Sequence, residues 1–268
     1  MRFASQLVKV ISLACLLSLG LPVQAEINLG EVGMLSQDSD TAPIPKGLVV
    51  GGVLLAYNAR YEAQKDAVWP IPGAIYFGND FMYLGDRARY YFYKDKHLAT
   101  FIYGRVRTGN LDPADAPALA GMIKRKWQFE AGLGANIITP YALISTRFAS
   151  DITGNTHGQE ALLWADFPIH KDRLLVMPGF GVMKRNSKLA NYYFGGISAA
   201  EATPTRPQYD TGSTWSPMVA LVSSYRYNKN WLAMVTLNIE HFDKNIANSP
   251  IVQHANEYTF LAGVGYTW

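Results

Sequence analysis

The side chains that could do catalytic chemistry in this chain are histidines that lie close in sequence to carboxylates. A histidine beside a carboxylate can act as a general base for a serine nucleophile or for water. The candidates are Asp151, His157, Glu160, Glu240, His241, Asp243 and His254. No nucleophile motif accompanies them, and a polar rim of a protein often contains such residues. We therefore predict no catalytic residues and no enzymatic activity.

Metal binding would need three or four ligands that converge on one point. The five histidines, His97, His157, His170, His241 and His254, are instead spread along the chain. The single cysteine, Cys15, lies in an apolar stretch near the start. The sequence therefore predicts no metal site and no cofactor.

The elements that must position these residues are β-strands, because apolar and polar residues alternate over segments of about ten positions. In 126–138, for example, Trp127 and Phe129 share one face, and Gln128 and Glu130 share the other. We predict twelve strands: Gly47–Ala59, Pro70–Gly78, Phe81–Leu84, Arg87–Tyr93, His97–Arg107, Lys126–Ile138, Tyr141–Ser150, Gln159–His170, Arg173–Arg185, Gly212–Tyr225, Trp231–Phe242 and Glu257–Trp268.

The last predicted strand, Glu257–Trp268, has an apolar face with aromatic residues at both ends. An apolar band between aromatic girdles, about 9–11 residues long, is typical of a transmembrane β-strand. A terminal aromatic residue resembles the signal that the barrel-assembly machinery recognises in bacterial outer-membrane proteins. We assign that signal to Phe260, Val264, Tyr266 and Trp268.

The connections between the predicted strands alternate in length, as they do in outer-membrane barrels. Short ones include Lys94–Lys96 and Lys171–Asp172, and long ones include Thr108–Arg125 and Asn186–Thr211. If the last strand runs toward the periplasm, the stretch between Gly78 and Tyr93 must contain two strands, Phe81–Leu84 and Arg87–Tyr93, rather than one. The fold class predicted is therefore an all-β, closed antiparallel barrel of about 12 strands, with 10 strands as the alternative.

In a barrel surrounded by lipid the apolar face points outward and the polar face points into the lumen. The charged side chains predicted to lie in the lumen are Arg105, Arg107, Lys126, Glu130, Arg147, Glu160, Asp166 and Glu240. The interior of a small barrel is about filled by side chains, and buried charges must pair. We expect these residues to pair and fill the lumen, with a narrow pore as the alternative.

The first 25 residues have the features of a secretory signal peptide, with Arg2 and Lys9 followed by an apolar core. Because they hold two of the 24 basic residues and none of the 21 acidic ones, the mature chain has a net charge near +1. A net charge this small does not indicate nucleic-acid binding, which needs a clustered basic face. The predicted domains are residues 1–25 as a cleaved signal, 26–46 as a flexible and exposed periplasmic segment, and 47–268 as the barrel.

Five stretches carry a family resemblance through their order and spacing. They are Gly51–Tyr57, Pro72–Tyr76, Asp151–Gly158, Ala190–Gly195 with Glu201 and Ala202, and Ser249–Val252. In these stretches the chain resembles the MipA/OmpV family of MltA-interacting and OmpV-like outer-membrane proteins. The resemblance implies a barrel in the outer membrane of a Gram-negative bacterium, in contact with its lipid. The family brings no catalytic residues.

Three kinds of function are compatible with these features. The resemblance implies a non-enzymatic scaffold for peptidoglycan-remodelling enzymes, with a lytic transglycosylase and a peptidoglycan synthase as partners. The alternatives are a small pore for solutes and a surface adhesion or binding protein. A pore would use the lumen, and an adhesion protein would use the long loops Asn186–Thr211 and Asp243–Asn256.

Overall fold

The computed structural model describes residues 31–109 and 111–268, which form one closed antiparallel β-barrel. Apart from β8 and β9, each strand pairs with its neighbour along the chain. Strand β1 pairs with the last strand, and β10 pairs with β8, β9 and β11. The strands are β1 (Gly47–Tyr57), β2 (Ala67–Phe77), β3 (Phe81–Tyr83), β4 (Arg87–Lys94), β5 (Leu98–Arg107), β6 (Gln128–Ile138), β7 (Leu143–Asp151), β8 (Gln159–Asp166), β9 (Ile169–Lys171), β10 (Leu174–Arg185), β11 (Thr214–Arg226), β12 (Trp231–His241) and β13 (Asn256–Thr267).

The barrel wall counts as twelve strands although thirteen segments are given, because β8 and β9 are two parts of one predicted strand and both pair with β10. Pro168 separates them, since proline has no N–H to donate to a ladder. The two strands predicted between Gly78 and Tyr93 are confirmed as β3 and β4, although β3 has only three residues. The twelve-strand prediction is therefore correct, and the ten-strand alternative is wrong.

The apolar faces of the strands point outward and the polar faces point inward, as expected for a barrel in lipid. On β6, Phe129 and Leu133 are exposed, whereas Gln128 and Glu130 are buried. The same inversion occurs on β12, where Leu237 is exposed and Glu240 is buried. A soluble sheet would bury the apolar side instead.

The two ends of the barrel differ in the length of their connections. One end carries the long loops, including helices α1 (Ser187–Tyr193) and α2 (Lys244–Ala247) and the 3₁₀ turn Pro117–Leu119. The other carries short turns, and we call these the outer and periplasmic ends, following the loop lengths. Within 31–109 and 111–268, none of the helices is long and apolar enough to cross a membrane.

The segment before β1 corrects a prediction, because residues 31–46 do not form an exposed, flexible linker. Val32 and Ile44 are fully buried, and exposure is confined to the stretch Gln37–Thr41 and to Lys46, the last residue before β1. A 3₁₀ turn at Val32–Leu35 and a parallel bridge between Gln37 and Pro45 fold the segment back on itself. Its apolar side chains enter the barrel, which the absence of strand periodicity could not indicate. The predicted signal peptide and residues 26–30 lie outside the described residues.

Candidate functional site: the barrel interior and its two ends

Four of the predicted lumen charges form one compact cluster that crosses the barrel near its outer end. Arg105 donates to Glu130 Oε2 at 2.6 Å and to Glu160 Oε1 at 2.5 Å. Arg107 donates to the other oxygen of each carboxylate, at 2.6 Å in both cases. Two arginines thus face two glutamates, so the cluster is electrically neutral. Charges this deeply buried need such pairing, because an isolated charge away from water is very costly.

Two further buried ion pairs lie beside this cluster. Arg185 donates to Glu240 at 2.5 and 3.0 Å, and Arg60 donates to Glu257 at 2.7 Å. The ring of Phe194, which follows α1, covers both arginines at 3.9 and 4.3 Å from the ring centre. A desolvated cation over an aromatic face gains about 2 kcal/mol. The first outer loop and the loop that carries α1 are therefore tied to the charged layer in the lumen.

Two of the remaining predicted lumen charges, Arg147 and Asp166, lie closer to the periplasmic end. Arg147 and Asp166 are buried on β7 and β8, and Glu240 is buried in the pair described above. Arg89, also buried, forms an ion pair with Glu31 at 3.4 Å. This pair links the barrel wall to the segment that precedes β1.

Lys126 is the predicted lumen residue that the structure places elsewhere. It is exposed and precedes β6, which begins at Gln128. Its backbone N–H donates to the Tyr192 hydroxyl at 2.9 Å, and its carbonyl accepts from the Tyr193 hydroxyl at 2.5 Å. The alternation places Lys126 on the inward face only if the strand includes it, and β6 begins two residues later. The neighbouring Arg125 is buried instead.

The long loops pack together into a cap with its own hydrophobic core over the outer end. Both helices of the cap begin at an N-capping side chain: the Asn186 side chain accepts from the Leu189 N–H, and the Asp243 side chain accepts from the Asn245 N–H. The buried core of the cap consists of Tyr61, Leu111, Ala116, Leu119, Met122, Leu189, Tyr193, Phe194, Ile197, Phe242, Ile246, Ile251 and Val252.

One carboxylate, that of Glu201, joins two of the cap loops. It accepts from the Ile123 N–H at 2.9 Å, from Arg125 at 2.7 Å, and from the Ser198 N–H and hydroxyl at 2.9 and 2.7 Å. Arg206 adds bonds to the carbonyl oxygens of Ala118 and Ala120. Burial alone would raise the pKa of Glu201, but the donors around it, Arg125 first, lower the pKa to about 2. We call the Arg125–Glu201 pair the cap latch.

The segment 31–46 fills the periplasmic end and forms a plug. Val32 and Ile44 pack with Phe77, Phe101 and Met177 in a buried cluster inside the barrel. Polar contacts hold the rest of the plug: Ser224 donates to the carbonyl oxygen of Pro43 at 3.4 Å, and Arg226 donates to that of Ser39 at 2.7 Å. Lys46 reaches the side chain of Asn79 at 2.8 Å. The cap and the plug thus close opposite ends of the lumen.

The structure separates the residues that could have formed a catalytic group. Glu240 points into the lumen toward Arg185, whereas its neighbour His241 is exposed and contacts Asn256 Oδ1 at 2.8 Å. Asp243 accepts the Asn245 N–H as the N-cap of α2 and also the Trp215 N–H of β11.

The second group around His157 serves its own loop. The Asp151 carboxylate accepts from the backbone N–H groups of Thr153, Thr156 and His157. Among the described residues no cluster of three or more His, Cys, Asp or Glu side chains could hold a metal ion.

The residues assigned to the barrel-assembly signal lie on the lipid-facing side of β13. Phe260, Val264 and Trp268 are exposed, and Tyr266 is partly buried. Tyr266 packs edge-on against Trp231 and against Trp268, each at 5.3 Å between ring centres. These rings form part of the periplasmic aromatic girdle.

Comparison with known proteins establishes the family. The family described as "MltA-interacting protein MipA" matches residues 51–268, which is nearly the whole barrel. The chain belongs to this family. It is 26% identical over 215 residues to the MltA-interacting protein of Escherichia coli K12, covering 78% of this chain and 84% of that one. The protein is therefore an outer-membrane protein of the MipA family, as the resemblance implied.

Two other relatives match this chain over a shorter region. Omp26La of Vibrio anguillarum and OmpV of Vibrio cholerae are each 30% identical over 170 residues, which is 63% of this chain. The chain spans 65% of the length of each of these two relatives.

Solved outer-membrane barrels are similar in fold only. The NanC porin gives a TM-score of 0.41 at 9% identity, over 82% of this chain and 99% of that one. OmpT of Vibrio cholerae gives a TM-score of 0.38 at 9% identity, over 82% and 97%.

Several residues that organise the interior were missed at the sequence level. Arg185 occupies an inward-facing position of β10, and Glu257 lies on the polar face of β13. The alternation of faces could therefore have identified both. Arg60, Arg125 and Glu201 lie in loops, where no periodicity indicates which side chains are buried.

Proposed function

We propose that this protein is a non-enzymatic outer-membrane scaffold that binds a peptidoglycan-remodelling enzyme, a lytic transglycosylase, on its periplasmic side. The name shared by the family and the E. coli relative, MltA-interacting protein, supports this proposal. A peptidoglycan synthase would be the second partner held by the scaffold.

The structural observation that favours a surface function is the packing at both ends of the lumen. In the cap, Leu119 and Ile246 are fully buried, and in the plug, Val32 and Ile44 are fully buried. The charges between them form neutral pairs rather than a single-sign lining. A solute pore would need an open, water-filled lumen. The outer loops form a packed cap, so they do not favour adhesion either.

The periplasmic surface offers a defined binding face. The stretch Gln37–Thr41 is the exposed part of the plug and carries Asp38 and Asp40. The turns around it carry exposed aromatic side chains, including Tyr141 and Tyr227 with exposed fractions of 84% and 71%. Aromatic side chains are enriched at protein interfaces.

The experiment must avoid deletion of the plug, because residues 31–46 are part of the folded interior. Reversing the exposed charges with Asp38→Lys and Asp40→Lys alters the face without touching Val32 or Ile44. Pull-down of a lytic transglycosylase by the folded protein in nanodiscs should fall several-fold in the double variant. Retention of full binding by this variant would remove the segment from the interface.

A matched control reverses two exposed acidic residues at the outer end, with Glu62→Lys and Asp115→Lys. A partner confined to the periplasm cannot contact these residues, so binding should equal that of the wild type. Equal loss in both double variants would point to net charge rather than to a site. Heat-modifiable gel mobility establishes that each variant is folded.

A further inference from the structure

One edge of strand β2 is largely unpaired. All of its residues, Ala67–Phe77, pair with β1. On the other edge only Tyr76 and Phe77 pair, with β3. Within the described part of the chain no strand pairs with that edge from Ala67 to Ile75. At about 3.3 Å per residue this leaves an edge on the order of 25 Å long.

The unpaired edge arises because the β3–β4 hairpin is too short to reach the outer end. Its turn, Leu84–Asp86, is attached to the other side, where the Val106 N–H donates to the Asp86 carbonyl at 2.9 Å. Strand β2 also contains Pro70 and Pro72. Prolines within sheets are confined to edge strands and bulges, so the sequence of β2 suits an edge. The wall therefore has a gap in its outer half.

A cavity of about 250 Å³ lies behind this gap. Its lining includes β2 residues 71–75 on one side of the gap and residues 84–87 of the hairpin on the other. From there it extends into the lumen between the cap and the plug, reaching Val32 and Phe194. Its size is near the lower end of ligand pockets, about 300 Å³.

The cavity has an apolar wall and a charged outer end. Val49, Val53 and Leu55 line it from β1, and the glycines of β2 and β13 give it width. Toward the outer end it is lined by Arg60, by Arg185 with its partner Glu240, and by Phe194. Arg185 is 1% exposed, and its Nε atom has no hydrogen-bond partner although its other two nitrogens bind Glu240. A buried donor without a partner is costly and suits an acceptor oxygen from a ligand.

We propose that the gap is a lateral portal through which a long-chain carboxylate enters the cavity from the outer leaflet. Its hydrocarbon tail would lie along Val49, Val53 and Leu55, toward the plug. Its carboxylate would accept a hydrogen bond from Arg185 Nε, since guanidinium groups bind carboxylates through charge-assisted bonds. The side entry explains how a lumen closed at both ends holds a cavity with an apolar wall.

Glycine substitutions on the two faces of the wall test the cavity. A Cβ at Gly73 would meet Val53 Cγ2 at 3.6 Å, an ordinary contact, so Gly73→Leu fills the cavity from β2. The matched control is Gly104→Leu, because Gly104 faces outward on β5, lies outside the cavity lining, and a Cβ there would also make an ordinary contact, at 3.7 Å from the Glu130 carbonyl oxygen. Binding is followed by the fluorescence of cis-parinaric acid and its displacement by palmitate, with folded protein in phosphatidylcholine nanodiscs.

Wild type should bind the probe, and palmitate should displace it. Affinity should fall about tenfold or more in Gly73→Leu, the loss expected from overpacking. It should stay within about twofold in Gly104→Leu. Folded wild type without palmitate-displaceable binding would overturn the proposal, as would equal affinity in both variants.

A second variant tests the head group and remains informative if Gly73→Leu does not fold. Arg185→Lys keeps a cation for Glu240 but removes the Nε donor. Wild type should prefer palmitate to 1-hexadecanol, and the variant should lose that preference. An unchanged preference would contradict the role of Arg185, and displacement by lysophosphatidylcholine but not by palmitate would assign the cavity to membrane lipid instead.

Discussion

Removal of the Glu201 carboxylate should open the cap without unfolding the barrel. Glu201 and Arg125 are 3% and 6% exposed, and the carboxylate holds donors from both loops that meet there. In Glu201→Ala, Arg125 would remain buried with only the carbonyl oxygens of Ile123 and Gly196 as acceptors among the described contacts. The loops 111–125 and 196–211 would then separate more readily, while the strand ladders are untouched.

The size of the effect follows from the burial of the pair. Breaking a buried ion pair by removing one partner costs about 3–5 kcal/mol. Since about 1.4 kcal/mol is a tenfold change in an equilibrium, the open form of the cap should become roughly 100-fold to 4,000-fold more populated. The adjacent pair Lys124–Asp112 is the control, because its side chains are 68% and 28% exposed. An exposed pair contributes about 0–1 kcal/mol, so Lys124→Met should change little.

Hydrogen exchange measured by mass spectrometry reports local opening of this kind. In Glu201→Ala, amides in 111–125 and 196–211 should exchange faster by the factor above, and the amides of β6 and β12 should be unchanged. If the cap amides of Glu201→Ala exchanged at the wild-type rate, the assignment of the latch would be refuted. Equal acceleration in Lys124→Met would show that burial does not set the magnitude.

Three other predictions concern pH and the packed interior. Because the pKa of Glu201 is lowered to about 2 from 4.5, the latch should stabilise the cap fully above pH 4.5 and lose that stabilisation as pH falls toward 2. Hydrogen exchange of the cap amides should therefore become faster over this range in wild type but not in Glu201→Gln. Arg185→Met should lower the free energy of unfolding by about 3–5 kcal/mol, whereas the double variant with Glu240→Met should recover most of it, as measured by urea unfolding of refolded protein. Ile44→Ala should cost about 2–5 kcal/mol in plug packing and expose 31–46 to added protease, while Asp38→Ala should leave the cleavage rate unchanged.

The strands could be predicted from the sequence because alternation has a direct physical cause in a lipid-facing wall. On β6 and β12 each outward position must be apolar and each inward position can be polar. The division at Leu84–Asp86 followed from a parity requirement, although β3 itself is too short to show a pattern.

The ends of the barrel could not be predicted in the same way. The buried residues of the plug, Val32 and Ile44, lie in a segment with prolines and no period, so nothing in it indicates which side chains enter the lumen. The cap depends on contacts between loops far apart in the chain, such as Arg125 with Glu201 and Tyr61 with the carbonyl oxygen of Tyr193. Long-range contacts of this kind leave no local signal.

The central claim is that the lumen is closed along its axis and that function resides in surfaces and in the side cavity. Planar-bilayer recording with folded protein, alongside an open porin as a positive control, tests this claim most directly. The account predicts no steady conductance at voltages where the porin conducts. A reproducible ohmic conductance from protein with the heat-modifiable mobility of the folded barrel would contradict it.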